Sequence, residues 1–124
     1  MGVGFLARSF DLINVGDLDL IAQARQRCSR LIVGVYSDEW ATALTGRPPV
    51  TPLAERIAVV SHVRGVDEVR IQRDRVPPVE PGTVIFVEPG GESAAAGQVV
   101  LDPRRRTVGP VPGENRRPID TAVA

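Results

Sequence analysis

The pattern of this chain predicts an α/β domain built on a parallel sheet of about five strands, with its second half shortened relative to its first. Three observations carry that prediction. Short apolar runs rich in β-branched residues alternate with segments of helical period, the rhythm that lays helices against a parallel sheet. The run Leu31-Ile-Val-Gly-Val-Tyr36 is apolar throughout, as a strand buried on both faces is. Between Arg73 and Gly82 the chain carries three prolines and no helical period, so the crossover helix such a fold would place there is missing.

Each element follows from its own signal. Val3 to Leu6 is a short apolar run leading into the polar turn Arg8-Ser9, as a buried first strand would. Leu18, Ile21, Ala22, Arg25 and Cys28 recur at three- and four-residue steps, which predicts an amphipathic helix from Asp17 to about Ser29 with Asp17 near its N-terminus. The strand Leu31–Tyr36 comes next. Ser37 to Val50 predicts a loop, or a short helix over Glu39 to Leu44 that ends at Gly46. Thr51 as a hydroxyl N-cap and Pro52 at the first helical position predict a helix from Pro52 to about Arg64, with Leu53, Ile57, Val60 and Val63 on one face. Val66 to Ile71 alternates apolar and charged residues and completes a βαβαβ unit. Thr83 to Val87 predicts a fourth strand, Glu88 to Gly91 a turn, Ser93 to Ala96 a single helical turn, and Gln98 to Leu101 a last short strand. From Asp102 onward four prolines and five arginines predict a tail that packs no core of its own. The expected organisation is a domain over 1–101 and a tail over 102–124.

Composition narrows the function classes. At 124 residues with 43% apolar content, the chain holds one domain with a modest core. A formal net charge of zero supplies no overall field toward nucleic acid or anionic lipid, so neither partner is expected. All 15 basic residues are arginine, which removes lysine Schiff-base chemistry. Cys28 is the single cysteine and His62 the single histidine; no internal disulfide and no metal-ligand spacing follow, and a cytoplasmic location is expected. No run reaches the length of a membrane helix.

The most informative segment is Ser9-Phe-Asp-Leu-Ile-Asn-Val-Gly-Asp-Leu-Asp-Leu20. It resembles the signature of the family of glycerol-3-phosphate cytidylyltransferase, Gly-x-Phe-Asp-Leu followed by His-x-Gly-His at the start of the first helix. Phe10, Asp11, Leu12 and Gly16 are kept; Arg8 stands at the first glycine, and Asn14 and Asp17 stand at the two histidines. The likeness extends to Leu31–Glu39, Pro52–Arg56 and Val66–Val69, and thins after residue 71, where the family's Gly-Asp-Asp-Trp stretch reads Glu88-Pro-Gly-Gly91. The resemblance implies a Rossmann-like three-layer nucleotidyltransferase fold. It assigns the catalytic positions to Asn14 and Asp17, and nucleotide contacts to Ser9, Phe10, Asp11, Gly16, Arg56 and Arg104. If the family reaction is retained, CTP or ATP with Mg²⁺ and a phosphorylated acceptor are its reactants and pyrophosphate its product.

The reaction builds negative charge on phosphate oxygens, which fixed donors and cations stabilise. Asn14 offers one neutral hydrogen bond, but a carboxylate at residue 17 repels a nearby phosphate charge by about 1 kcal/mol at 4 Å in water and about 4 kcal/mol at an effective dielectric of 20. Simpler roles stand beside these. Asp17 reads as a plain N-cap, Asn14 as a turn residue, Asp11 as holding its loop through local hydrogen bonds, and Arg56 equally as surface charge or phosphate ligand. His62 reads as a helix cap or surface residue, Trp40 as packing under the loop after the second strand, and Arg104-Arg105-Arg106 as a solvated cluster. Three functions remain open: a degenerate cytidylyltransferase-like protein with weak or no transfer that retains nucleotide binding, an active transferase using Asp11, Asp17 and a metal, and a non-catalytic module whose sheet is completed in a homodimer or by another subunit.

Overall fold

The computed structural model describes residues 2–88 and 98–101. Eight elements follow in the order β1 (Val3–Arg8), α1 (Val15–Arg25), β2 (Arg30–Tyr36), α2 (Asp38–Thr45), α3 (Leu53–Ser61), β3 (Glu68–Gln72), β4 (Val84–Val87) and β5 (Gln98–Val100). The strands form one parallel sheet in the order β3-β2-β1-β4-β5. This is the predicted Rossmann-like arrangement, and the order reverses between β1 and β4.

Both early helices return to one face of the sheet. Leu20, Ile21 and Ala24 of α1 and Val60 of α3 pack with Leu6, Leu31, Val33, Val35 and Phe86, and Leu101 closes the same core. The Phe86 ring of β4 and the Cys28 side chain leave no room at Gly4, where a Cβ would lie 2.4 Å from that ring. On the opposite face Phe5 and Ala7 lie over Gly34, where a Cβ would meet the Phe5 ring at 2.4 Å. Residues 73–83 contain only bends and turns, so the shortened β3-to-β4 connection expected from the prolines is found.

Several local expectations need correction. The helix α1 begins at Val15, not Asp17; Asn14 is its N-cap and Asp17 is the third residue of its first turn. Thr51 does not cap α3. Pro52 occupies that position with no side-chain cap bond, because the Thr51 amide is donated to Asp11 and its carbonyl accepts from Arg56. Of the two readings open for Ser37 to Val50 the short helix is the one found, as Asp38–Thr45, capped by the Ser37 hydroxyl and ended at the expected Gly46 in the left-handed conformation (φ 83°). The third strand starts at Glu68, after a turn through Gly65 (φ 98°) that leaves Val66 against the core. His62 is where the sequence put it, the C-cap residue of α3, with its Nδ1 2.7 Å from the Ala58 carbonyl oxygen. The helical turn expected over Ser93–Ala96 and the tail from Asp102 lie outside the described residues. Among the described residues no helix is long and apolar enough to cross a membrane.

Candidate functional site at the carboxyl end of the first strand

In open α/β sheets the crevice for ligands lies beyond the carboxyl ends of the strands where the strand order reverses. Here that point is Arg8, Ser9 and the loop into α1. The loop is tight enough to force two non-glycine residues into the left-handed region, Phe10 and Leu12, both at φ 53°. Left-handed backbone costs an L-residue roughly 1–2 kcal/mol, so the surroundings must hold it. Phe10 does so by burying its ring in the core, whereas Leu12 is 64% exposed.

Asp11 provides the second restraint. Its carboxylate accepts the amides of Val50 and Thr51, each at 2.9 Å. The expectation of purely local bonds for Asp11 is therefore corrected: it ties the β1–α1 loop to a segment about forty residues later. The Val50 amide bond is the main reason its carboxyl is held below its ordinary range, with the Thr51 amide and the Arg56 charge adding to it against some desolvation.

Arg56 is the third. Its side chain is fully buried, which corrects the surface-charge expectation. Nε donates to Thr51 O at 2.9 Å, Nη1 to Ser9 O and Tyr36 O at 2.7 Å each, and Nη2 pairs with Asp38. The guanidinium thus joins the ends of β1 and β2 to both flanking helices, and its donors point at protein oxygens.

At Asn14 and Asp17, the positions the sequence resemblance assigns to two histidines, the structure has a reciprocal capping box. The Asp17 amide donates to Asn14 Oδ1 at 3.2 Å, and the Asn14 amide donates to Asp17 Oδ2 at 3.1 Å. Gly16 sits inside this turn, where a Cβ would come within 3.1 Å of Asn14 Oδ1. Asp17 is buried, and its other oxygen, Oδ1, lies 2.9 Å from Arg8 Nε. Arg8 also pairs with Glu88, which follows β4. The carboxylate expected to stand bare before a phosphate is therefore matched by a neighbouring cation.

Ser9, Asp11, Asn14, Gly16 and Asp17 are thus gathered at one strand end with Arg56 directly behind them, while Phe10 turns into the core. Arg104 lies outside the described residues. Arg8 and Glu88 escaped the sequence reading as site residues. Arg8 had a signal, a charged residue at the end of a buried strand where the signature has glycine; Glu88 had none, since it meets Arg8 across 80 positions of chain.

Beside this strand end, a cavity of about 330 Å³ is lined by Phe5, Ala7, Ile85 and Val87 on the sheet, with Arg8, Tyr36, Leu44, Gln72, Arg75 and Glu88 among the other residues around it. The size is within the range of small-molecule sites. Trp40 stands edge-on to Tyr36, with Arg75 over its ring at 5.9 Å. The side-chain oxygen of Gln72 and the indole nitrogen of Trp40 are buried without a hydrogen-bond partner, an uncommon state for buried polar atoms. A metal between Asp11 and Asp17 does not fit the geometry: one carboxylate holds two amides and the other an amide and Arg8. Among the described residues no three His, Cys, Asp or Glu side chains gather as a metal site.

With this geometry in place the relatives become informative. The cytidylyltransferase-like family model matches residues 7–89. The chain belongs to the cytidylyltransferase-like family. It is 48% identical over 60 residues to an ethanolamine-phosphate cytidylyltransferase of Arabidopsis thaliana, covering 48% of this chain and 14% of that protein. It is 43% identical over 68 residues to the bifunctional protein HldE of Gluconacetobacter diazotrophicus, covering 54% and 14%. A third relative, an FAD synthase of Pyrococcus abyssi, is 37% identical over 62 residues, covering 50% and 42%. The chain therefore spans only a small part of the length of the first two. Among solved structures, a lipopolysaccharide core biosynthesis protein of Thermoplasma volcanium superposes with a TM-score of 0.62 at 16% identity, covering 76% of this chain and 80% of that one. That likeness concerns the fold.

Proposed function

We propose that this chain is a degenerate cytidylyltransferase-like protein, with nucleotidyl transfer weak or lost and a nucleotide- or phosphate-binding crevice kept at the carboxyl end of β1. The observation that carries this reading is the capping box at the histidine positions. A histidine there would offer a donor and would gain positive charge on taking a proton. Asn14 and Asp17 instead hold each other's backbone amides, and Asp17 is paired with Arg8. Both side chains serve the helix terminus, so neither supplies a cation to the charge that develops at phosphorus. The kept strand-to-helix loop, braced by Asp11 and Arg56, supports retained binding. Calorimetric titration with CTP and with ATP, each with Mg²⁺, tests it: heat from at least one is expected, and no heat together with no thermal shift rejects the nucleotide part. Pyrophosphate release above background with a panel of phosphorylated acceptors rejects the loss of catalysis.

A second reading, a non-catalytic interaction module, is favoured by the apolar floor of the cavity, Phe5, Ala7, Ile85 and Val87, on the face where residues 73–83 provide no helix. In it a second copy or another subunit covers that face. Light scattering across a concentration series tests the homodimer, and a strictly monomeric species counts against it.

A further inference from the structure

The end of β1 holds one cation between two carboxylates drawn from different elements. Asp17 is fixed by its own helix, because Oδ2 accepts the Asn14 amide while Oδ1 faces Arg8. Glu88 is placed differently. It reaches Arg8 from the residue after β4, across the point where the strand order reverses, with a side chain 37% exposed against 6% for Asp17. Arg8 and Glu88 both line the cavity beside the strand end. A guanidinium at this place is suited to a phosphate, which it binds through directed, charge-assisted hydrogen bonds.

We propose that Arg8 is the anion-binding group of the crevice and Glu88 its built-in competitor: a ligand's phosphate enters by taking the place of the Glu88 carboxylate, and a single phosphate is accepted better than a phosphate chain. This rests on the reading of a kept crevice, and it names the ligand class. Charge sets that class. Asp17 stays beside Arg8 when Glu88 is displaced, so the Arg8 guanidinium already faces one fixed carboxylate and a second close by, while Arg75, the other arginine around the cavity, is set over the Trp40 ring. A terminal phosphate gains the directed contact with Arg8; each further phosphate adds negative charge to the same field. Gln72 borders the cavity with its side-chain oxygen unpartnered and its residue 6% exposed, an acceptor for an N–H or O–H on the ligand's body. With the apolar floor, this describes a phosphomonoester whose body is largely apolar and carries one donor.

The test uses the full chain and probes that separate phosphate from nucleoside: orthophosphate, pyrophosphate and tripolyphosphate, then CMP and CTP, titrated without Mg²⁺ into wild type, Glu88→Gln and Arg8→Gln. Circular dichroism and a thermal melt verify folding, and Arg8→Lys, which keeps the charge and loses the fork, serves if Arg8→Gln unfolds. Wild type is expected to bind orthophosphate at least as tightly as tripolyphosphate. Glu88→Gln is expected to tighten every anion about fivefold, the scale of losing one competing exposed ion pair, with the largest gain for tripolyphosphate. Arg8→Gln is expected to lose the series, and Arg8→Lys to weaken it. Affinity that rises with phosphate number in wild type, no tightening in Glu88→Gln, or undiminished binding in Arg8→Gln each overturns the proposal. If the inorganic series behaves as expected while CMP and CTP do not bind, the inference stands and the nucleotide part of the proposed function falls. If nucleotides bind without regard to either substitution, the reverse holds; if no probe binds any variant, both fall.

Discussion

Arg56 shows how one side chain organises the site without facing it. Its guanidinium is held by three backbone carbonyls and Asp38 in a place that water does not reach. Arg56→Met fills similar volume but leaves those acceptors unpaired, and removing one partner from a buried charged network typically costs about 3–5 kcal/mol. Because Asp38 is half exposed, a loss near 3 kcal/mol is expected from urea denaturation at neutral pH. Asp11 gives a pH-dependent counterpart. Its carboxyl is held below its ordinary value of 3.8 in the folded chain by the Val50 amide, the Thr51 amide and the Arg56 charge. A depressed folded-state pKa adds stability above the unfolded value, and that stability fades as pH falls through the folded value. Asp11→Asn is therefore expected to unfold at lower urea than wild type at neutral pH. The two midpoints should converge below pH 3.8, which midpoints measured from pH 2 to 7 will check. Neither role was legible in the sequence, since Asp11 finds Val50 and Thr51 about forty residues on, and Arg56 finds Ser9, the end of β2 and the start of α2 far back along the chain.

At the scale of elements, the strands and the face of α3 were legible because their signals are local: unbroken apolar runs for β1 and β2, three- and four-residue recurrence for the helix. The face of α1 was misplaced, since of Leu18, Ile21, Ala22 and Arg25 only Ile21 is buried, and Leu20 and Ala24 pack into the core beside it. The error at the start of α1 is instructive. Asn and Asp are both good N-caps, and Asn14 and Asp17 are spaced as a capping box, so the pattern alone did not show which one stands at the cap. The structure gives Asn14 that role, and Asn14→Ala is expected to cost about 1 kcal/mol, read as a shift in the urea midpoint with an unchanged slope. The loop before it holds Leu12 in left-handed backbone with its side chain largely in water. Glycine adopts that conformation without the steric penalty but loses more chain entropy on folding. Leu12→Gly is thus expected to raise stability by about 0.5 kcal/mol, and a lowered melting temperature would show that Leu12 contributes packing that its exposure does not reveal.

For the whole molecule, the family match runs over residues 7–89, and the strand end is surrounded by groups brought from far apart in the chain: Arg8 at the end of β1, Asp17 in α1 and Glu88 after β4. On the proposed reading, Asn14→His and Asp17→His together put two imidazoles where the capping box and the Arg8 pair now stand. The capping box is lost, and each cap substitution typically costs about 1 kcal/mol, so a melting temperature lower by several degrees is expected for a domain of this size. Arg8 stays. The position now 2.9 Å from its Nε would hold an imidazole that must become cationic to stabilise developing charge, and a guanidinium at that distance opposes the protonation. Glu88 still occupies the other side of Arg8, and residues 73–83 still lack a helix to wall the cavity beside the sheet. The double variant is therefore expected to release no pyrophosphate above background from CTP or ATP with phosphorylated acceptors, and adding Arg8→Gly should leave it silent for want of that wall. Turnover in the double variant would show that two side chains alone separate this chain from the family's reaction. Turnover only on adding Arg8→Gly would place the block in the charge at the end of β1, not in the shortened second half.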